Sequence, residues 1–231
     1  FDIEVDFNPY EYPGEYLKDI AKLIYDQDGD KWLNTNNEIE KFKYFENFAV
    51  KNLMASIKED LSLININFDR FTFESEIVVN RLINKVLSLL KEKNLLYEGI
   101  LDKPKNEEEN DWEPRKQLLF RSSNFGDDAD RPFQKANGEL TYFAKDAAYH
   151  YEKYSRGYDQ LINIWGADHI GYISRMKSVV DIISNKKNYL DVQVCQIVHL
   201  RKNGKLLKIS KREGNFVTLK KIQQEVGKDA L

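Results

Sequence analysis

Two apolar-rich runs constrain this chain most. QLINIWG (160–166) and LDVQVCQIVHL (190–200) flank a stretch in which Ile173, Met176, Val180 and Ile183 recur at helical spacing. A strand rich in apolar residues on both faces needs cover on both. The order strand, helix, strand supplies that cover and makes the two strands parallel. The expected fold class is therefore α/β. In sheets of this kind ligands bind beyond the carboxyl ends of the strands, so the residues after each strand are the first candidates for a site.

Upstream, the pattern is helical. After Pro13-Gly14, Leu17, Ile20, Leu23 and Ile24 keep a helical period that DQDGD interrupts. A second helix is expected from Glu38 to Leu61, burying Ile39, Phe42, Phe45, Ala49 and Leu53. INFDRFTF (66–73) reads as a strand. A third helix follows, capped by Ser75, with Val79, Leu82, Ile83, Val86 and Leu90 on its apolar face. The polar, two-proline stretch DKPKNEEENDWEPRK (102–116) reads as a solvated linker. Beyond it come a short apolar run at 118–120, a turn at Asn137-Gly138, a helix over KDAAYHYEKY, and a hairpin turned by Asn203-Gly204.

Several function classes drop out. The formal net charge of −3 supplies no overall field toward nucleic acid or membrane, so any polyanion contact needs a local basic cluster. The single cysteine, Cys195, permits neither a disulfide framework nor a Cys-x-x-Cys zinc site, which fits a reducing, cytoplasmic setting. No apolar run approaches the ~18 residues of a membrane span. Neither G-x-x-x-x-G-K-[ST] nor G-x-G-x-x-G occurs. His150 and His199 read as packed or surface histidines, and Cys195 as a small buried hydrophobe. No metal ligand set is visible.

Three junctions could carry chemistry. In WGADHIGY (165–172), Gly166 turns the chain and Asp168 and His169 stand near a helix start. Asp168 either caps that helix or accepts from a ligand's hydroxyl or ammonium, beside amides free to hold an anion. In TYFAKDAAYH, Tyr142 ends a strand and Asp146 follows four residues later. Asp146 is either a helix-start carboxylate or the partner of a cationic ligand. In LLKISKREGNF (206–216), Lys208, Lys211 and Arg212 surround Ser210 just before Gly214. That stretch is either a solvated basic loop or a phosphate-holding one, whose ammonium groups answer charge that grows only in a transition state.

KISKREGNFVTL resembles the KMSKS loop of class I aminoacyl-tRNA synthetases, in the form found in arginyl-tRNA synthetases, with Ile209 in place of methionine. YPGEYLKDIA, FRSSNFGDDADRP and LTYFAKDAAYHYEKYSRGYDQLINIWGADHIGY resemble further blocks of that family, in the same order and spacing across nearly the whole chain. The resemblance implies the second half of a class I synthetase Rossmann-type nucleotide-binding fold with a helical insertion. The insertion would occupy 1–66 and the catalytic part 67–231.

The resemblance also implies a reaction and its residues. Arginine and ATP would give arginyl-adenylate and pyrophosphate, and the arginyl group would pass to the 3′-terminal ribose of tRNA(Arg). Lys208, Ser210 and Lys211 match the signature loop, with Lys211 stabilising the departing pyrophosphate. Tyr142 and Asp146 match the pair that holds the guanidinium, and Glu74 matches a carboxylate of the same pocket. His169 matches a position near the α-amino group and the ribose. Gly166, Asp168 and His169 would join Lys208 and Lys211 on the ATP side. Mg²⁺ would arrive with ATP, and a cytoplasmic monomer is usual in the family. HIGY at 169–172 is not the family's HIGH motif, which is expected upstream of residue 1, as a helical anticodon-binding domain is expected downstream. The segment alone is therefore not expected to charge tRNA.

Two other readings stay open on the residues. One is a synthetase-derived fragment acting as a binding or regulatory module. The other is a nucleotidyltransferase of the same superfamily with a different acceptor, against which the pocket of Glu74, Tyr142 and Asp146 argues, since it would have no cation to bind.

Overall fold

The computed structural model describes residues 14, 16–79, 82–101, 115–202, 204–206 and 217–230. Lys208, Ser210, Lys211 and residues 102–114 of the 102–116 linker lie outside the described residues. The chain divides into two compact units, Phe1–Arg70 with His199–Leu231, and Phe71–Val198.

In the first unit, α1 (Tyr16–Asp28) and α2 (Glu38–Leu63) are joined by a turn. Asn37 caps α2 by accepting from the Glu40 amide at 3.1 Å. Trp32 of the turn is buried, stacks on Tyr44 at 4.4 Å and donates its indole N–H to Asp28 Oδ2 at 2.7 Å. An aromatic plug therefore holds this helix pair, rather than the expected apolar stripe. No residue of α2 is buried, and Ile39 and Phe42 are 84% and 66% exposed. Of the expected α1 face, Ile20 is buried while Leu17 and Leu23 are exposed. The same unit contains the β6 (Arg201–Lys202) and β7 (Lys205–Leu206) hairpin, where Gly204 takes φ +77°, and α7 (Leu219–Val226). The expected hairpin is present.

The second unit carries the main core. Helices α3 (Glu74–Val79) and α4 (Leu82–Glu92) precede an antiparallel sheet of β1 (Leu96–Gly99), β2 (Gln117–Phe120) and β3 (Arg131–Gln134). Then come α5 (Tyr142–Ser155), β4 (Leu161–Gly166), a 3₁₀ turn over Ala167–Tyr172, α6 (Ile173–Ser184) and β5 (Leu190–Cys195). The β4 and β5 strands pair in parallel from Leu161↔Leu190 to Gly166↔Cys195, as the two apolar runs require. Val86, Leu90, Phe120, Phe133, Ala144, Met176, Val179 and Leu190 are buried in one cluster. On the other face of β4, Ile162 and Ile164 are 61% and 73% exposed.

Four expectations fail locally. INFDRFTF forms no strand; it joins no sheet among the described residues and leads into α3, and an apolar run without a strand beside it does not become a strand. The third helix is described as α3 and α4, with residues 80 and 81 outside the described residues, and it starts at Glu74, so that Ser75 lies inside it rather than capping it. Strand β5 ends at Cys195, where pairing with β4 ends, and Cys195 is exposed rather than buried. Tyr142 does not end a strand. Thr141 caps α5, accepting from the Ala144 amide at 3.3 Å, and Tyr142 is the first helical residue.

Candidate active site

Helix α5 has two unlike faces. Phe143, Ala144, Ala147 and Ala148 are buried, and their small size lets neighbouring elements approach closely. Positions three and four apart share a helix face, so Tyr142, Lys145 and Asp146 stand together on the other side. Tyr142 is 80% exposed. Glu74, at the start of α3, meets this face. Lys145 donates to Glu74 Oε1 at 2.7 Å, with its ammonium 5.5 Å from the Tyr142 ring centre.

Asp146 is half-buried and binds a residue 26 positions downstream. Tyr172, at the end of the 3₁₀ turn after β4, donates its phenol to Asp146 Oδ2 at 2.9 Å. Burial raises the carboxyl above its ordinary value, and the charge of Glu74 adds to this. The Tyr172 hydrogen bond, the Lys153 charge and neighbouring His169 pull the other way without cancelling it. The same burial, with the adjacent Asp146 charge, pushes the Tyr172 phenol far above its usual range, so it remains a donor.

The turn after β4 holds Asp168 and His169. His169 Nε2 lies 3.6 Å from Asp168 Oδ2, both side chains are exposed, and the His169 ring centre is 6.2 Å from that of Trp165. Gly166 makes room for this arrangement, since a Cβ there would stand 2.4 Å from Asp168 Oδ1. Beside the turn lies a cleft of about 620 Å³ lined by Asp127, Arg131, Asp168, His169, Tyr172 and Arg175 among others. Asp127 accepts from Arg131 at 2.8 Å, and Arg175 Nε stands 2.9 Å from its other oxygen. Burial alone would raise Asp127, but the Arg131 hydrogen bonds and the Arg175 charge win and hold it at about 2. Arg131 also pairs with Asp128.

A buried polar chain runs beneath Asp146. Lys153 donates to Asn163 Oδ1 at 3.0 Å, Asn163 Nδ2 faces His150 Nε2 at 2.8 Å, and His150 Nδ1 faces the Asp146 carbonyl at 2.7 Å. The amide donor fixes Nε2 as the acceptor, so Nδ1 carries the proton toward the carbonyl. Burial, then the Lys153 charge, pulls His150 down to about 4, and burial also lowers Lys153.

The structure thus brings Glu74, Tyr142 and Asp146 to one face and places Gly166, Asp168 and His169 on the neighbouring turn. Sequence reading missed Lys145, Tyr172, the His150–Asn163–Lys153 chain and the Asp127–Arg131–Arg175 cluster. Tyr172 was within reach, since it ends the HIGY stretch. Its partner lies too far upstream for spacing to show it. Chemically, the face offers two carboxylates and a phenol, a set suited to a planar cation with several N–H donors.

No family model matches the chain. Curated relatives do. It is 46% identical over 227 residues to an arginine–tRNA ligase of Ruegeria sp. (strain TM1040), covering 97% of this chain and 39% of that protein. It is 45% identical over 221 residues to the arginine–tRNA ligase of Orientia tsutsugamushi (strain Ikeda), covering 95% and 37%. A crystal structure described as arginyl-tRNA synthetase from Campylobacter jejuni superposes with a TM-score of 0.77 at 31% identity, covering 99% of this chain and 45% of that one. The chain is a segment of the arginyl-tRNA synthetase family. It spans less than half the length of the curated relatives it matches. An arginyl-tRNA synthetase from Plasmodium falciparum, at 16% identity and a TM-score of 0.50, shares the fold. The parallel β4–β5 pair with α6 between its strands fits the Rossmann-like fold expected of a class I synthetase.

Proposed function

We propose that this chain is the part of an arginine–tRNA ligase that recognises the arginine side chain and closes on ATP. The observation that carries this reading is the convergence of Glu74, Tyr142 and Asp146 on one face beside the β4 turn. A guanidinium presents five donors in a plane, and two carboxylates with a phenol can receive them in a fork that lysine's ammonium cannot match. Gly166, Asp168 and His169, on the turn after β4, would serve the α-amino group and the ATP side. Lys208, Ser210 and Lys211, which lie outside the described residues, are assigned to the signature loop by the resemblance, with Lys211 stabilising the leaving pyrophosphate. The insertion at 1–66 and the catalytic part at 67–231 complete the assignment.

In the reaction, an oxygen of arginine's carboxylate attacks the α-phosphorus of ATP, the bond to the β-phosphate breaks and pyrophosphate departs. A hydroxyl of the terminal ribose of tRNA(Arg) then attacks the carbonyl carbon and AMP leaves. Mg²⁺ brought in with ATP would supply charge neutralisation at its phosphates, and no residue of this chain is assigned to hold it. Among the described residues no helix is long and apolar enough to cross a membrane. We assign the enzyme to the cytoplasm, as a monomer.

The test is tRNA-dependent charging with labelled arginine by the full-length protein and its Lys211→Ala variant. Charging that falls by orders of magnitude in the variant supports both the reaction and the loop assignment. Charging indifferent to the change removes Lys211 from the mechanism. A full-length protein that charges no tRNA would instead favour a binding module.

A further inference from the structure

We propose that Tyr172 is a positioning residue for arginine recognition, holding the Asp146 carboxylate in place through Oδ2; this rests on the reading of Asp146 as a guanidinium partner. Nothing in the family resemblance assigns Tyr172 a role. Its place in the structure does. The phenol reaches from the turn after β4 to the second turn of α5 and donates to Oδ2 at 2.9 Å. Among the described residues, Oδ1 accepts from none, so one carboxylate oxygen is tied and the other is available to a ligand's N–H. A carboxylate tied at one oxygen keeps one orientation, and orientation decides whether a planar guanidinium is met by a fork or by a single bond.

The ring itself is held on three sides. Phe143 meets it edge-on with centroids 6.0 Å apart, Trp165 lies 5.6 Å away, and the Arg175 guanidinium sits 5.4 Å from its centre. Arg175 is in turn anchored to Asp127. A continuous line of contacts therefore runs from the charged cleft through Arg175 and Tyr172 to Asp146, linking the β4 turn with the arginine side of the site.

The same geometry sets the charge of Asp146. Burial and Glu74 of α3 favour the neutral acid, while Tyr172 and His169 of the turn and Lys153 of α5 favour the carboxylate. The α6 cation Arg175 stands across the Tyr172 ring, the β3 cation Arg131 is paired with Asp127, and Lys85 of α4 stands over the Tyr151 ring. Tyr172 is the one among these that hydrogen-bonds the carboxylate. Without its donor, Asp146 takes up a proton at higher pH and loses its attraction for a cation there.

The experiment uses the full-length enzyme with Tyr172→Phe, which keeps the ring and removes the hydroxyl, and circular dichroism to verify the fold. The expected result is a rise in arginine KM of about tenfold near neutral pH, the lower end of what a hydrogen bond to a charged group carries. The turnover number at saturating arginine stays within about twofold, as for lost ground-state binding. The acidic limb of kcat/KM for arginine moves to higher pH. A fluorinated tyrosine at position 172, a stronger donor of nearly the same shape, moves the limb the opposite way and does not depend on the phenylalanine variant folding. In an Asp146→Asn background, Tyr172→Phe adds no further loss. An unchanged KM and acidic limb would overturn the inference, and so would an equal loss in the Asp146→Asn background, which would mark Tyr172 as purely structural. Wild-type enzyme that fails to charge arginine removes the parent reading and this inference together, whereas normal charging with an indifferent Tyr172→Phe removes this inference alone.

Discussion

The Lys145 ammonium donates to Glu74 Oε1 at 2.7 Å while standing 5.5 Å from the Tyr142 ring centre. An internal cation thus engages two of the three residues assigned to the arginine guanidinium. The hydrogen bond it donates to Glu74 raises the Lys145 ammonium's pKa above its ordinary range, so it is charged at any working pH. On the proposed assignment, arginine would reach Glu74 in competition with Lys145.

Replacing Lys145 with methionine keeps the apolar stem and deletes the competitor. The pair is partly exposed, and such pairs are weak, so the gain in arginine affinity should be about two- to fivefold. Titration of the full-length enzyme with arginine measures it. A loss of affinity instead would mean that Lys145 holds Glu74 in its productive position.

Asp146→Asn should have a far larger effect. It keeps the shape and the Tyr172 contact but removes the half-buried charge that a guanidinium needs. By analogy with truncated charge pairs at interfaces, the loss is about 2–5 kcal/mol of arginine affinity. Discrimination against lysine should shrink as well, because the fork is what separates the two cations. Arginine affinity that survives the change would return Asp146 to the role of a helix-start carboxylate.

The parts of this structure that local pattern controls were legible in the sequence. The β4–α6–β5 unit follows from two apolar runs and a helical stripe, and Tyr142 and Asp146 share a face because four residues nearly complete a helical turn. What escaped depends on contacts distant in the chain. INFDRFTF has strand composition but joins no sheet among the described residues, and Cys195 is exposed at the end of β5, where pairing with β4 stops. Ile39 and Phe42 keep helical spacing, yet Trp32 and the rings of Tyr44 and Phe45 do the packing on α2. The Asp146–Tyr172 bond spans 26 residues and the Glu74–Lys145 pair 71, distances at which periodicity carries no information.

Asp127 should govern part of the acid stability. Its carboxyl is held at about 2, below an ordinary value of 3.8, by Arg131 and Arg175 against the opposing effect of burial. A depressed acid stabilises the fold above its unfolded pKa and loses that contribution as pH falls through the folded one. The window is therefore from about 4 down to about 2. Asp127→Asn should cost about 3 kcal/mol near neutral pH, since it takes the Asp127 charge from the largely buried Arg175 guanidinium and leaves Arg131 with only the exposed Asp128. The gap between wild type and variant, read by urea unfolding, should close across that window. A gap constant with pH would show that the loss comes from packing and not from charge.

His150 should set a second, milder pH dependence. It is buried, accepts from Asn163 at Nε2 and has its pKa pulled from 6.5 to about 4, so the fold retains the neutral ring where the unfolded chain would take up a proton. Its stabilising contribution is complete above about pH 6.5 and declines as pH falls toward 4. Between about pH 7 and about pH 5 the loss should be about 2 kcal/mol. His150→Gln removes the titrating group, and although the variant starts less stable, its unfolding free energy should fall less steeply over this range. Equal slopes for the two proteins would mean that His150 gains a proton in the folded state as readily as in the unfolded one, contrary to the closed hydrogen-bond chain through Asn163 and Lys153.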